Sequence, residues 1–306
     1  MSRIEVRSLS KQFGPRTAVE GLEFDVAEGE VFGLLGPNGA GKTTTVRMLT
    51  GLLRPSSGGA TVCGVPIDGD GEALRSRVGL LTEQPGLYDR LTARENLRFF
   101  LKLHDRDTPE AWESAQRWME RFGLAGREEE PAGTYSKGMR QKLALVRALL
   151  HDPQAIFLDE PTSGLDPESA RAVREAVGEL AAEGRTVVLC SHNMAEVERI
   201  CARVAVVKGR LLAVGTVPEL RRQSGVVEIQ VEGSGGAAGE SLAAIVPPCV
   251  WVAEGHLLRV NLADGVGIPD VVGVLVRAGV RIHAVVPGQR ALEDVYLELT
   301  RTAEAT

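Results

Sequence analysis

The sequence predicts an α/β fold with an inserted α-helical subdomain, followed by a small α+β domain, and three observations lead there. Apolar runs at 31–35, 155–158 and 186–190 lack alternation and stand between helical patterns. Parallel strands buried on both faces, with helices crossing over between them, read this way. From Leu91 to Leu150 the pattern is almost wholly helical, through ENLRFFLKLHD, PEAWESAQRWMERFGL and SKGMRQKLALVRALL, so the helical subdomain is expected at about 90–150. Near Val226 the texture changes, and a second domain is expected to begin.

Taken in order, the first domain is expected over residues 1–218. Its strand VFGLL feeds a glycine-rich loop and then the helical TTVRMLTGLL. PELRRQSG, from Pro218 to Gly225, reads as a short helix followed by a linker, the linker being placed at 219–225. The second domain, 226–306, reads as strand VVEIQVE, a helix around ESLAAIV, strand CVWVA, a turn at Glu254-Gly255, strand HLLRVNL, helix PDVVGVLVRAG, strand VRIHAVV and terminal helix ALEDVYLELT. That βαββαβ order predicts the split-βαβ, ferredoxin-like arrangement.

A chain of 306 residues is long enough for two domains, and 43% hydrophobic with 25% charged residues is an ordinary globular composition. The net charge of −6 supplies no basic field for phosphate backbones, so no nucleic-acid partner is expected. No uncharged apolar run approaches the roughly 18 residues of a membrane span, and the candidate Ser241–Ala253 is broken by Pro247 and Pro248. The opening MSRIEVRSLS lacks the apolar core of a signal peptide, and Cys63, Cys190, Cys201 and Cys249 form no CxxC pair. A reduced cytoplasmic setting without zinc is expected.

Chemistry concentrates in two motifs. Gly36, Pro37, Asn38, Gly39, Ala40, Gly41, Lys42, Thr43 and Thr44 match GxxxxGK[ST] in full, between a strand and a helix. Glycines there let backbone amides turn toward phosphate oxygens, the helix N-terminus adds its positive dipole, and Lys42 reaches the β and γ oxygens. Thr43 offers its hydroxyl to Mg²⁺. A flexible turn with a solvated lysine is the plainer alternative, but the flanking strand and helix favour the phosphate loop. The second motif, AIFLDE, is an apolar strand ending in two carboxylates. Alone it is uninformative; beside a phosphate loop, Asp159 becomes the Mg²⁺ ligand and Glu160 the acceptor of a proton from attacking water.

With these motifs in place, residues 2–218 resemble the ATP-binding-cassette (ABC) transporter ATPases. Tyr135-Ser-Lys-Gly-Met139 is similar to the family's LSGGQ signature, keeping Ser136 and Gly138, while Lys137 and Met139 depart from the usual glycine and glutamine. The resemblance implies that Ser136 and Gly138 face the γ-phosphate bound by an opposite subunit, so that two ATPs are sandwiched between two cassettes. Taken by itself, Ser136 is an ordinary helix cap. Asp166, in SGLD, looks like the family's coupling loop and equally like a turn before the helix that Pro167 opens. His192, ending VVLCSH, matches the switch histidine that contacts the γ-phosphate. Glu83 and Gln84 share the place of the family's Mg²⁺-touching glutamine, and either fits. Phe13, in KQFG, stands near the family's adenine-stacking aromatic, with packing beneath a loop as the alternative.

EQPGLYDRLTARENL, TYSKGMRQKL and the stretch SHNMAEVERICARVAVVKGRLLAVGTVPEL narrow the resemblance to prokaryotic exporters of the drug, lipid and polysaccharide type. It implies an ATP-hydrolysing subunit using ATP and Mg²⁺, homodimeric or paired with another cassette. A separate transmembrane permease would hold it on the inner face of the membrane. The rival reading is a soluble cassette ATPase acting on nucleic acid or ribosomes, which a single cassette with an acidic appendage disfavours.

Overall fold

The computed structural model describes residues 2–244, 249–263, 265–289 and 291–304. The chain divides into two compact units, Met1–Val217 with Tyr296–Thr306, and Pro218–Val295.

The first unit contains strands β1 (Ser2–Phe13), β2 (Arg16–Ala27) and β3 (Val31–Leu35), helix α1 (Lys42–Leu49), strands β4 (Ser57–Val62) and β5 (Val65–Pro66), helix α2 (Gly71–Arg75) and strand β6 (Val78–Leu81). Helices α3 (Ala93–Leu103), α4 (Pro109–Arg121) and α5 (Lys137–Leu149) follow. Strand β7 (Ala155–Asp159), α6 (Pro167–Ala182), β8 (Thr186–Ser191), α7 (Met194–Ile200), β9 (Arg203–Lys208) and β10 (Arg210–Thr216) complete it. The sheet order is β5-β4-β1-β2-β10-β9-β3-β8-β7-β6.

From β9 to β6 the strands are parallel, and every residue of β3, β7 and β8 is buried, as their unbroken apolar runs require. The other half differs: β1, β2, β4 and β5 pair antiparallel, and one parallel bridge, Arg210 with Glu20, joins β10 to β2. Phe24 of β2 stacks on Phe32 of β3, with ring centroids 5.3 Å apart, so both halves share one core. The sheet is therefore mixed rather than purely parallel.

Helices α3 to α5 fall between residues 93 and 149. Thr92 and Glu95 exchange side-chain-to-backbone hydrogen bonds in a capping box that starts α3. Thr108 caps α4 with Pro109 in its first turn, and both α3 and α4 pack against α5.

The second unit opens with the end of helix α8 (Val217–Arg221), followed by β11 (Arg222–Val231), α9 (Gly235–Glu240), a 3-10 turn (Ser241–Ala244), β12 (Val250–Glu254), β13 (Leu257–Asn261), α10 (Ile268–Arg277) and β14 (Ile282–Gln289). Helix α11 (Leu292–Glu304) ends the described chain. The strands form one antiparallel sheet in the order β12-β13-β11-β14. Val227, Ile229 and Val231 alternate inward along β11 and meet Leu258, Val260, Val271 and Leu275 in a separate core.

Three details depart from expectation. The proposed linker at 219–225 is the end of α8 and the start of β11. Polar residues marked it as loose, but Arg222 pairs with Gln289, a partner that lies far along the chain. The terminal residues from Tyr296 onward group with the first unit rather than with 226–306, because sequence adjacency does not decide where a helix packs. Of the helix expected around ESLAAIV, only the stretch to Ala244 is described, as a 3-10 turn; Ile245 and Val246 lie outside the described residues.

Candidate nucleotide-binding site

Parallel register brings the chemistry to one edge. Leu35 pairs with Ser191, Asp159 with Cys190, and Leu81 with Leu158, so the loops following β3, β8, β7 and β6 all leave the sheet from the same carboxyl end. Ligands bind there in open α/β sheets.

The 36–41 loop is tight. A Cβ on Gly36 would collide with the Val207 carbonyl oxygen and lie 2.9 Å from Ala40 Cβ. Gly41 has φ 95°, and a Cβ there would come within 2.7 Å of the Ala18 carbonyl oxygen. Gly41 is the N-cap of α1 and has no side chain to cap it, so first-turn amides are left for an outside acceptor. Ala40 is buried in the loop's interior, and its amide donates to the Pro37 carbonyl.

Lys42 is 6% exposed, and its Nζ donates to the carbonyl oxygens of Gly36 (2.6 Å) and Pro37 (3.2 Å). The same ammonium stands 3.7 Å from Glu160 Oε1. Thr43 Oγ1 donates to Asp159 Oδ2 at 2.7 Å, bridging helix α1 and strand β7. Burial raises the Asp159 carboxyl above its ordinary value, the Thr43 hydroxyl opposes that rise, and the Glu160 charge adds to it.

Glu160 adopts φ 52°, a left-handed backbone uncommon for a non-glycine residue, and its amide donates to the Cys190 carbonyl (2.9 Å). The turn aims its carboxylate back over the sheet edge. There Oε1 accepts from the His192 amide at 3.1 Å and lies 2.8 Å from His192 Nδ1. A carboxylate oxygen can only accept, so this contact needs the ring hydrogen on Nδ1.

Around these groups lies a cavity of about 540 Å³. Phe13, Pro37, Asn38, Gly39, Gly41, Lys42, Thr43, Thr44, Glu83, Asp159, Glu160 and His192 line it, so most of the residues expected from the sequence converge. Phe13 is 49% exposed at the rim with Lys11 Nζ 5.3 Å from its ring centroid, so it is not packed beneath a loop. Glu83 reaches the wall; Gln84 is not part of it, and its carbonyl instead accepts from Thr82 Oγ1. Arg16, Ala18 and Ser163 also line the cavity and were not expected. Arg16 opens β2 just past the Gly14-Pro15 turn, and a cation three residues past a candidate base-stacking ring was the available signal.

Two expected groups stay outside this cavity. Ser136 is exposed at the start of α5, its Oγ accepting from the Met139 amide at 3.2 Å, and Gly138 follows it. Asp166 caps α6 by accepting from the Ser169 amide at 2.9 Å, a hydrogen bond that holds its carboxyl below the usual range.

Residues 19–163 match the ABC transporter family. The chain is 37% identical to the daunorubicin resistance ATP-binding protein of Streptomyces coeruleorubidus, over 97% of this chain and 95% of that protein. The chain belongs to the ABC transporter ATP-binding family. It is also 37% identical to the Nod factor export ATP-binding protein I of Rhizobium sp. (strain N33), covering 97% of this chain and 96% of the relative. Among solved structures, the ATP-binding subunit of an ABC transporter superposes with a TM-score of 0.68 at 32% identity, covering 72% of this chain and 92% of that one. The cassette thus binds and hydrolyses ATP.

The residues present fit a magnesium nucleotide. The uncapped first turn of α1 and the Lys42 ammonium suit phosphate, while the Thr43 hydroxyl and the Asp159 carboxylate are hard oxygen donors already brought together. The Asp159 carboxyl is buried, and burial disfavours its charged form, a cost that a divalent cation beside it would offset. Among the described residues no helix is long and apolar enough to cross a membrane.

Proposed function

We propose that this cassette energises export through a separate transmembrane permease, working as a pair of cassettes that closes on two magnesium-bound ATPs at the cytoplasmic face of the membrane. The observation that carries the reading is the meeting of Lys42, Thr43, Asp159, Glu160 and His192 around one cavity while Ser136 is exposed outside it. A phosphate-facing serine absent from its own chain's cavity serves a cavity on another chain. Export, rather than import, follows from relatives whose names concern daunorubicin resistance and Nod factor export.

In this mechanism Lys42 gives up its two loop carbonyls to donate to the β and γ oxygens. Thr43 and Asp159 would hold Mg²⁺ together with Glu83, whose place on the cavity wall favours it over Gln84. The ion would supply charge neutralisation at the phosphates. Phe13 offers a ring face to the adenine. Glu160 takes a proton from the attacking water, and His192, bonded to the same carboxylate, holds that group and reaches toward the γ-phosphate. Ser136 and Gly138 cover the partner's γ-phosphate, and Asp166 couples the two sites. Catalysis here is chiefly positioning and charge compensation.

The appended unit takes the split-βαβ, ferredoxin-like arrangement; its strand order β12-β13-β11-β14, with every neighbour antiparallel, supports this.

Sedimentation of a Glu160→Gln chain tests the pairing. With ATP and magnesium it should sediment as a pair, and adding Ser136→Arg should return it to single cassettes. A Glu160→Gln chain that stays single when saturated with nucleotide and supplied with its permease overturns the reading.

A further inference from the structure

The signature turn and the loop that follows Glu160 touch within one chain, through a residue that departs from the family's usual pattern. Lys137 is the first residue of α5, and it is exposed. It lies across Gly164, where the ammonium fills the position that a side chain at residue 164 would take. A Cβ built there would collide with Nζ and lie 3.2 Å from Cε and 3.6 Å from Cδ. Gly164 has φ 67°, so glycine suits this position on backbone grounds as well. A second approach follows one residue along, since a Cβ on Gly138 would lie 3.4 Å from Ser169 Oγ and 3.7 Å from Asp166 Oδ2.

The loop beneath Lys137 leads directly to the reacting centre. Ser163 lines the nucleotide cavity and its amide donates to the Glu160 carbonyl (3.2 Å), and the Leu165 amide donates to the Thr162 carbonyl (3.1 Å). Thr162 is tied in turn to Glu196 at 2.8 Å. Residues 160–166 therefore form a short, internally bonded turn with the carboxylate at one end and Gly164 near the other. A glycine at 137 would leave that second end uncovered.

We infer that Lys137 is a positioning residue that seats the loop 163–166 against the signature helix, linking the nucleotide held by one chain to the surface that this chain presents to its partner. The inference rests on the paired-cassette reading. A lysine is suited to the task, because its four-methylene stem carries the ammonium from the first turn of α5 onto Gly164. When the loop shifts with the state of the cavity, Lys137 carries the shift to Ser136, its immediate neighbour.

The test uses the full-length chain with its permease, comparing the parent with Lys137→Gly, Lys137→Ala and Lys137→Arg. Because Lys137 is exposed, all three should fold. ATP affinity, read in the Glu160→Gln background with a fluorescent ATP analogue, should stay within about twofold, since no group of the cavity is touched. Maximal turnover should fall about 10- to 100-fold in the Gly and Ala variants, the range for a misplaced but intact catalytic group. The Hill coefficient should drop from about 2 toward 1 in the same variants, as two sites lose their coupling. Arginine, with a similar stem and charge, should restore most of both. If the parent pairs on ATP while the Gly and Ala variants keep its turnover and Hill coefficient, the role of Lys137 is overturned and the pairing stands. If the parent itself neither pairs nor shows cooperativity, the paired-cassette reading fails, and this inference with it.

Discussion

One oxygen of Glu160 serves two residues from different ends of the site: Oε1 lies 2.8 Å from His192 Nδ1 and 3.7 Å from Lys42 Nζ. The carboxylate is thus oriented by a ring on the β8 side and balanced by an ammonium on the β3 side. Glu160 makes both contacts from a left-handed backbone, which ends the β7 strand conformation at the residue after Asp159.

Replacing Glu160 by Gln should lower ATP turnover by about 10² to 10⁴, the range for loss of a general base, with nucleotide binding retained. Steady-state hydrolysis and equilibrium binding on the purified variant check both halves. Turnover equal to the parent's would remove Glu160 from the proton-accepting role.

Lys42→Ala acts on binding. The buried ammonium is the cation nearest the phosphate loop, and its loss should weaken ATP affinity by about tenfold or more, equivalent to one charge-assisted hydrogen bond of roughly 1.5–3 kcal/mol. Titration calorimetry with a nonhydrolysable ATP analogue would measure it. An unchanged dissociation constant would count against the phosphate contact.

Asp159→Asn separates stability from metal use. Burial raises this carboxyl, so the folded chain holds the proton more tightly than the unfolded chain does. The resulting cost is present above the folded value and is relieved as pH falls through it. At neutral pH the amide removes that cost, and the nucleotide-free variant should melt higher than the parent. The added stabilisation from magnesium with ATP should disappear. Thermal melts with and without the ion decide this, and a nucleotide-free variant that melts lower contradicts the burial argument.

His151 controls an acid-side loss of stability away from the site. Its ring is 5% exposed and stacks on His104 at 4.0 Å, with Nε2 2.9 Å from the Val78 carbonyl and Nδ1 without a partner. Burial, aided by the neighbouring His104, pushes its value down to about 4. The unfolded chain takes up a proton near pH 6.5 that the folded chain refuses, so stability is intact above that pH. It should fall by up to roughly 3 kcal/mol as pH drops toward 4. Urea midpoints across this window should show the fall in the parent and lack most of it in His151→Asn. Parallel pH profiles for the two chains would refute the assignment.

Much of the site was legible because phosphate recognition uses contiguous residues: Gly36 to Thr44 form loop and helix start in one stretch, and AIFLDE ends in its own carboxylates. The helical segment was expected from its apolar periodicity, and Thr92, Thr108 and Ser136 cap the three helices there. The antiparallel half of the sheet was not legible. The β1–β2 hairpin has a short turn at Gly14-Pro15, but the bridge between Glu20 and Arg210 that joins it to the rest of the sheet has no local signature.

By itself the sequence determined the phosphate loop, the carboxylate pair and the family resemblance, because each depends on near neighbours in the chain. Tertiary structure alone decided that Thr43 meets Asp159 across 116 positions, that Glu83 rather than Gln84 faces the cavity, that Arg222 pairs with Gln289, and that Lys137 lies over Gly164. The reason is physical. Strand register and helix packing bring together groups whose separation along the chain carries no trace of their distance in space.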